Sequence, residues 1–322
     1  MDTIIQILAR ELGRSEAHVE NVVRLIDEGN TIPFIARYRK ELHGAMDDTA
    51  LRTLADRLQY LRNLDKRREE VKSAIEGQGK LTEELSAAID AAATLAEVED
   101  LYRPYKQKRR TRATVAREKG LEPLAELLFA QAADGPAPEE AAGAFIDPEK
   151  GVETAEDALQ GASDIIAERI SDDADIRKRL RELVWKKGYL VSAAAAKEPE
   201  DTVYRLYYAF RSPLNRVQGH QVLAINRGER EDLLKVSVEL DRETALITVR
   251  RSVLIPGSPA MPFVRSAAED AYDRLIAPSV EREIRNMLTE QADEGAIRTF
   301  ALNLKPLLMQ PPVKGRVTVG LD

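Results

Sequence analysis

The sequence has no cysteine, which removes zinc-finger, iron–sulfur and thiol-nucleophile chemistry and agrees with a reducing compartment. Its three histidines, His18, His43 and His220, lie far apart in the chain, so no metal-ligand spacing appears and neither metal nor cofactor is expected. No apolar run approaches the roughly 18 residues that a bilayer span requires, and the start MDTIIQILARELGR lacks the basic stretch and small-residue cleavage site of a signal peptide. A cytoplasmic protein without a membrane partner is the expectation. With 17 glycines and 15 prolines in 322 residues, a long low-complexity segment is excluded. No repeat of the 20–50-residue type is present, so fixed-period solenoids are disfavoured.

What is there suits a globular protein. Hydrophobic residues make up 43% and charged residues 32%, and a chain of this length buries roughly three quarters of its unfolded surface, enough for two or three domains.

Helical periodicity dominates. Ile4, Ile5, Leu8 and Leu12 share one face, and Gly13 followed by Ser15 supplies a stop and a new N-cap. A second helix carries Val19, Val22, Val23 and Ile26 and closes at Gly29. Thr31 and Pro33 start a third, in which Phe34, Ile35, Tyr38 and Leu42 are expected to face inward while Arg37 and Lys40 point away. These three short helices resemble a helix-turn-helix-like unit. Asp47 then caps the longest pattern, with Leu51, Leu54, Leu58, Leu61, Leu64, Val71 and Ile75 along one seam. More helices are predicted at TEELSAAIDAAA, TLAEVEDLY, LEPLAELLFAQ, TAEDALQGASDIIAERI and DADIRKRLRELVWKKG, so residues 1–190 read as an almost wholly helical region, with ADGPAPEE as its one true loop.

The period changes in residues 191–312. LLKVSVELDRETALITV alternates at Leu234, Val236, Val238 and Leu240 and then again beyond Asp241–Thr244, which predicts a small β-hairpin near 233–250. Helices resume at VRSAAEDAYDRLI and PSVEREIRNMLTEQADEGAIRTFALNLKPLLMQ, ending at Pro311 and Pro312. In residues 313–322, Val317, Val319 and Leu321 alternate as a terminal strand without a nearby partner, so the sequence is expected to stop inside a domain. The fold class predicted is mainly α: a multi-helix scaffold, one hairpin and an incomplete last strand.

In a chain of formal net charge −7, residues 102–120, YRPYKQKRRTRATVAREKG, hold Arg103, Lys106, Lys108, Arg109, Arg110, Arg112, Arg117 and Lys119 against one acid, Glu118. Pro104 interrupts a helix, so the run from Lys106 to Arg110 should leave as a loop and re-enter a helix near Thr111 or Thr114. Such a loop suits a phosphate backbone, with Tyr102 or Tyr105 stacking on an unpaired base. The same cations can instead form a solvated rim or pair with neighbouring acidic helices such as AEVEDLY. Arg62, Lys66, Arg67 and Arg68 read more simply as partners of Glu69 and Glu70. His220 suits a cap or a core position more than a phosphate contact, and Trp185 a buried anchor or a cation-stacking surface residue. A lone Asp322 is not a metal site.

Six stretches together resemble the Tex family of bacterial transcription accessory proteins: TIPFIARYRKE (31–41), LYRPYKQKRRTRATVAREKGLEPLA (101–125), GASDIIAERISDDADIR (161–177), LAINRGERE (223–231), PSVEREIR (278–285) and LKPLLMQPPVKGRVTVGLD (304–322). Gln107 stands where proline is expected, and Gly219 and Gln221 flank His220 where serine and arginine are expected. The resemblance implies a helical N-terminal region followed by an RNase H-like domain of which 313–322 would be the first strand, with Asp322 at the position of its first acid. It also implies nucleic-acid binding, chiefly to RNA, and a role in transcription; the residues themselves suggest that RNA or DNA, mainly single-stranded, is held at Arg103–Lys119 with help from Arg37, Arg39 and Lys40, and no enzymatic activity is expected. A scaffold docking RNA polymerase or ribosome-associated partners is the alternative, and an RNase H-like nuclease ranks last.

Overall fold

The computed structural model describes residues 3–107, 109–196, 201–311 and 315. The chain forms two compact units, Met1–Gln107 and Lys108–Asp322.

In the first unit, α1 (Ile4–Leu12) opens on a capping box between Thr3 and Gln6 and ends where Gly13 turns left-handed at φ 61°, a conformation that costs glycine nothing sterically. Ser15 caps α2 (Glu16–Asp27), and α3 (Ile32–Tyr38) follows with proline in its first turn. Gly44, also left-handed, closes the next turn against the His18 ring, and a Cβ there would meet Nδ1 at 2.3 Å. Asp47 accepts the Ala50 N–H at 2.7 Å and starts α4 (Asp48–Glu76). Every apolar residue predicted for the α4 seam is buried, and the helix runs through two cores. Leu51, Leu54, Leu58 and Leu61 pack with Leu8, Val19, Val22, Leu25 and Ile35. Leu64, Val71 and Ile75 pack with Ile89 of α5 (Glu83–Ala91) and Val98 of α6 (Leu95–Tyr102).

The second unit begins with α7 (Arg112–Glu118), α8 (Glu122–Ala130) and α9 (Pro138–Gly143), the last showing that the predicted loop at ADGPAPEE is helical from Pro138 onward. Next come α10 (Ala155–Ser171), central to the unit's core, and α11 (Ala174–Lys187). Strands β1 (Tyr189–Ala194) and β2 (Ala209–Pro213) precede α12 (Gly219–Arg230), β3 (Leu234–Glu239), α13 (Arg242–Val253) and α14 (Met261–Asp270). A π-helical turn, Ala271–Ile276, leads into α15 (Ala277–Leu308), which continues through Pro306. One core gathers residues from Ala113 to Ala292.

The predicted hairpin is corrected. Leu234–Glu239 is a strand, but the second alternating run is α13, because Asp241 accepts the Thr244 N–H at 2.8 Å as an N-cap and Ala245, Leu246 and Val249 then bury one helical face. The partner of β3 is instead β1, paired antiparallel from Tyr189 opposite Glu239 to Ala194 opposite Leu234, with β2 on the other side in the order β2-β1-β3. The prediction missed β1 because its inward face carries Leu190 and then Ser192, whose hydroxyl blurs the apolar alternation. The alternation at Val317, Val319 and Leu321, and Asp322 itself, lie outside the described residues. No helix among the described residues is long and apolar enough to cross a membrane.

Candidate nucleic-acid interface

The cations singled out by the sequence fall into two classes, those consumed by the fold and those left to solvent. In the first unit, α3 is short and amphipathic, so burying Ile35 turns Arg37 outward, and Arg39 and Lys40 follow in the exposed turn. None of the three pairs with an acid among the described residues. Tyr38, expected inward, is 56% exposed. Its ring lies 5.2 Å from that of Phe34; the Arg37 guanidinium stands 6.0 Å from the Tyr38 centroid and that of Arg39 5.4 Å from the Phe34 centroid. Cations held on aromatic faces keep their charge without a carboxylate.

Further along the same unit, Pro104 does end α6: the chain makes a tight turn at Arg103–Tyr105 and leaves extended at Lys106. Lys106 does not project freely. It pairs with Glu99 and lies 5.4 Å from the Tyr102 centroid, while Arg67 bonds the same carboxylate at 2.6 Å. Burial pushes the Glu99 carboxyl up, but the bonds from Arg67 and Lys106 outweigh it and hold the group below its usual value. Arg103 is half-buried and partnered within the protein. The cations along α4 are also taken up: Arg62 grips Asp27 with two bonds at 2.7 and 2.8 Å, and Arg68 bonds the Ala92 carbonyl at 2.7 Å.

In the second unit, Thr111 caps α7 as the sequence suggested. Arg117 reaches Glu168 on α10 at 2.7 Å and Glu122 at 3.3 Å; burial lowers its pKa, yet the Glu168 bond and the two carboxylate charges raise it overall. Lys119 donates to the Gly151 carbonyl at 2.7 Å, and Arg110 pairs with Glu118 at 3.0 Å in an exposed contact. Arg109 and Arg112 remain exposed with no acid partner among the described residues. Lys108 lies outside the described residues.

The eight-cation run is therefore divided between two units and is partly structural: Lys106, Arg117 and Lys119 tie secondary elements together. His220 is exposed in the first turn of α12, not buried in a core, whereas Trp185, half-buried, packs against the core of the second unit, the first of its two readings. Sequence reasoning passed over Tyr189, Arg211 and Arg216, which separate elements bring to one cleft with Lys186 and Lys187. Short-range charge counting carries no signal for cations that meet only through strand pairing.

Comparison with known proteins places these elements in a wider group. The model of the Tex-like protein N-terminal domain matches residues 2–76, and the Tex central region-like model matches residues 134–300. An uncharacterized protein, YdcI, of Bacillus subtilis strain 168 is 47% identical over 320 residues, which is 98% of this chain and 44% of that protein. The transcriptional accessory protein Tex of Neisseria gonorrhoeae is 38% identical over 329 residues, 99% of this chain and 42% of the relative. The human S1 RNA-binding domain-containing protein 1 is 31% identical over 335 residues, 99% of this chain and 33% of the relative. The chain spans less than half the length of these relatives.

Proposed function

The chain belongs to the Tex family, and from that premise we propose that it is a transcription accessory module that holds the backbone of RNA or DNA without reading its sequence. The observation that carries this reading is the set of predicted cations left unpaired. Arg37, Arg39, Lys40, Arg109 and Arg112 face solvent without a carboxylate among the described residues, in a chain where acids outnumber bases by 55 to 48. These five keep charge available for phosphates. Tyr38, exposed between cations, offers a face on which an unpaired base can stack, which favours single strands. The names of the Neisseria and human relatives, one a transcriptional accessory protein and one containing an S1 RNA-binding domain, support the same direction. RNA polymerase is the protein partner this reading adds. No reaction is assigned to the chain.

The test is a titration of fluorescent single-stranded RNA and DNA at two salt concentrations. Three neutralised phosphates on the first unit predict a loss of about twentyfold in affinity between about 50 and 200 mM salt, and two on the second a loss of about sevenfold. The variant R37A/R39A/K40A should flatten the salt slope by about 2, and R109A/R112A by about 1 to 1.5. Unchanged slopes in both variants would refute the assignment of these residues. Co-purification with RNA polymerase or a ribosome-associated protein that survives nuclease treatment and high salt would move the assignment to a protein scaffold.

A further inference from the structure

A second basic surface lies in the second unit, where α11, β1 and β2 meet. Gly188 makes it possible. The residue joins the last turn of α11 directly to β1, and a Cβ there would stand 2.5 Å from the Val184 carbonyl oxygen and 2.9 Å from Leu214 Cδ1, so glycine lets the turn that follows β2 close against the end of α11. The consequence is an open cleft of about 590 Å³ whose lining includes Lys186, Lys187, Tyr189, Arg211, Asn215 and Arg216.

The charge there is uneven. Lys186, Lys187 and Arg216 are exposed and pair with no acid among the described residues. Asp241 is the acidic residue of the lining, and its Oδ2 is turned to the Thr244 N–H at 2.8 Å and hydroxyl at 2.7 Å to cap α13. Two lysines in a last helical turn complement the helix dipole, but that does not account for their convergence with arginines from two other elements.

The sheet register supplies the second observation. Val191 pairs with Arg211 and Tyr189 with Pro213, so Tyr189 and Arg211 are diagonal neighbours on one face. The Arg211 guanidinium stands 3.7 Å from the Tyr189 ring centroid, a van der Waals stack. Arg211 also approaches Glu239 at 3.7 Å, with both side chains more than half exposed, a contact of small net value that a ligand can replace. The outward side of the guanidinium is a planar cation, the surface on which a nucleobase stacks beside its own phosphate. The carboxylates of an acidic peptide meet a guanidinium at its N–H edge and leave this face unused.

We propose that this cleft is a binding site for single-stranded nucleic acid, in which Lys186, Lys187 and Arg216 take backbone phosphates and the Arg211–Tyr189 stack receives a base. The site rests on the nucleic-acid reading above but uses none of its residues, so the two stand or fall by different variants.

The experiment compares the full 322-residue chain with K186A/K187A/R216A, three exposed positions whose loss spares the core, and with the charge-keeping K186R/K187R. The probes are a fluorescent single-stranded RNA oligonucleotide and a polyglutamate peptide of equal charge. Expected are binding of the oligonucleotide by the parent chain, at least tenfold weaker binding by the triple variant at about 50 mM salt, a salt slope shallower by about 2, and near-parental affinity in K186R/K187R. Parental binding that the triple variant leaves intact overturns the cleft while the Arg109 and Arg37 sets stand. No binding by the parent chain at low salt overturns both. Polyglutamate bound as tightly as the oligonucleotide, with the same sensitivity to the triple variant, overturns the nucleic-acid assignment in favour of an acidic protein.

Discussion

Single residues set the stability of the second unit where charge is buried. Arg177 on α11 is completely buried and bonds Ser279 at 3.0 Å and Glu283 on α15, and Arg181 bonds the other Glu283 oxygen at 2.8 Å. Burial pushes the Glu283 carboxyl up, but the Arg177 charge, the Arg181 bond and the Ser279 hydroxyl together bring it below its usual value of 4.5. The unfolded chain then takes up this proton before the folded one does as pH falls. The contribution to stability is complete above about pH 4.5 and is lost as pH drops through the lower folded value. Urea unfolding followed from pH 7 to pH 3 should show a shallower acid decline in Glu283→Gln. At neutral pH, Glu283→Ala should cost about 3 kcal/mol, because it removes the carboxylate that Arg181 shares with the fully buried Arg177. An urea midpoint within error of the parent's would show that Arg177 is held by other means.

At the scale of the element, capping decided what periodicity left open. The stretch after β3 alternates like a strand, and the same residues also present Ala245, Leu246 and Val249 at helical spacing. Asp241 tips the balance by satisfying the first turn of α13. Replacing it with alanine should lower stability by about 1 kcal/mol, whereas asparagine, an equally good cap, should leave thermal unfolding nearly unchanged. Because Asp241 also lines the basic cleft, Asp241→Asn should tighten oligonucleotide binding while leaving the fold alone. Weaker binding in that variant would contradict the proposed ligand. Most of the helices were legible because they carry their own local signals. Thr3, Ser15, Asp47, Thr82, Thr94, Thr111, Thr154 and Asp173 all accept from the first turn of the helix they precede. Strands β1 and β2 carried no such signal. Their partners lie far along the chain, and the buried face of β1 exposes its identity only once Leu190 and Ser192 are seen to be covered.

For the whole molecule, the relevant quantity is where charge and cores are distributed. The unit Met1–Gln107 closes two cores of its own along α4. A polypeptide of residues 1–107 should therefore show a helical circular-dichroism spectrum and a cooperative thermal transition; a gradual melt would show that these cores are insufficient alone. Net charge of −7 coexists with unpaired basic surfaces in both units, so the average charge is a poor guide to local potential.

Apart from α9 and α13, read as a loop and a strand, the sequence by itself determined most of the helices, their caps, the α4 seam and the family, since these depend on spacing within one or two turns or on motifs in fixed order. It also located the positive charge. Only the tertiary structure decided which charges are free, because an arginine's partner is set by which distant element packs beside it. Glu168 on α10 claims Arg117, and strand pairing draws Arg211 onto Tyr189; the Lys106–Glu99 pair, within one acidic helix and the turn after it, was already among the sequence's alternatives. Local periodicity is written over a few residues; ion pairing and cleft formation are properties of elements brought together across tens of residues.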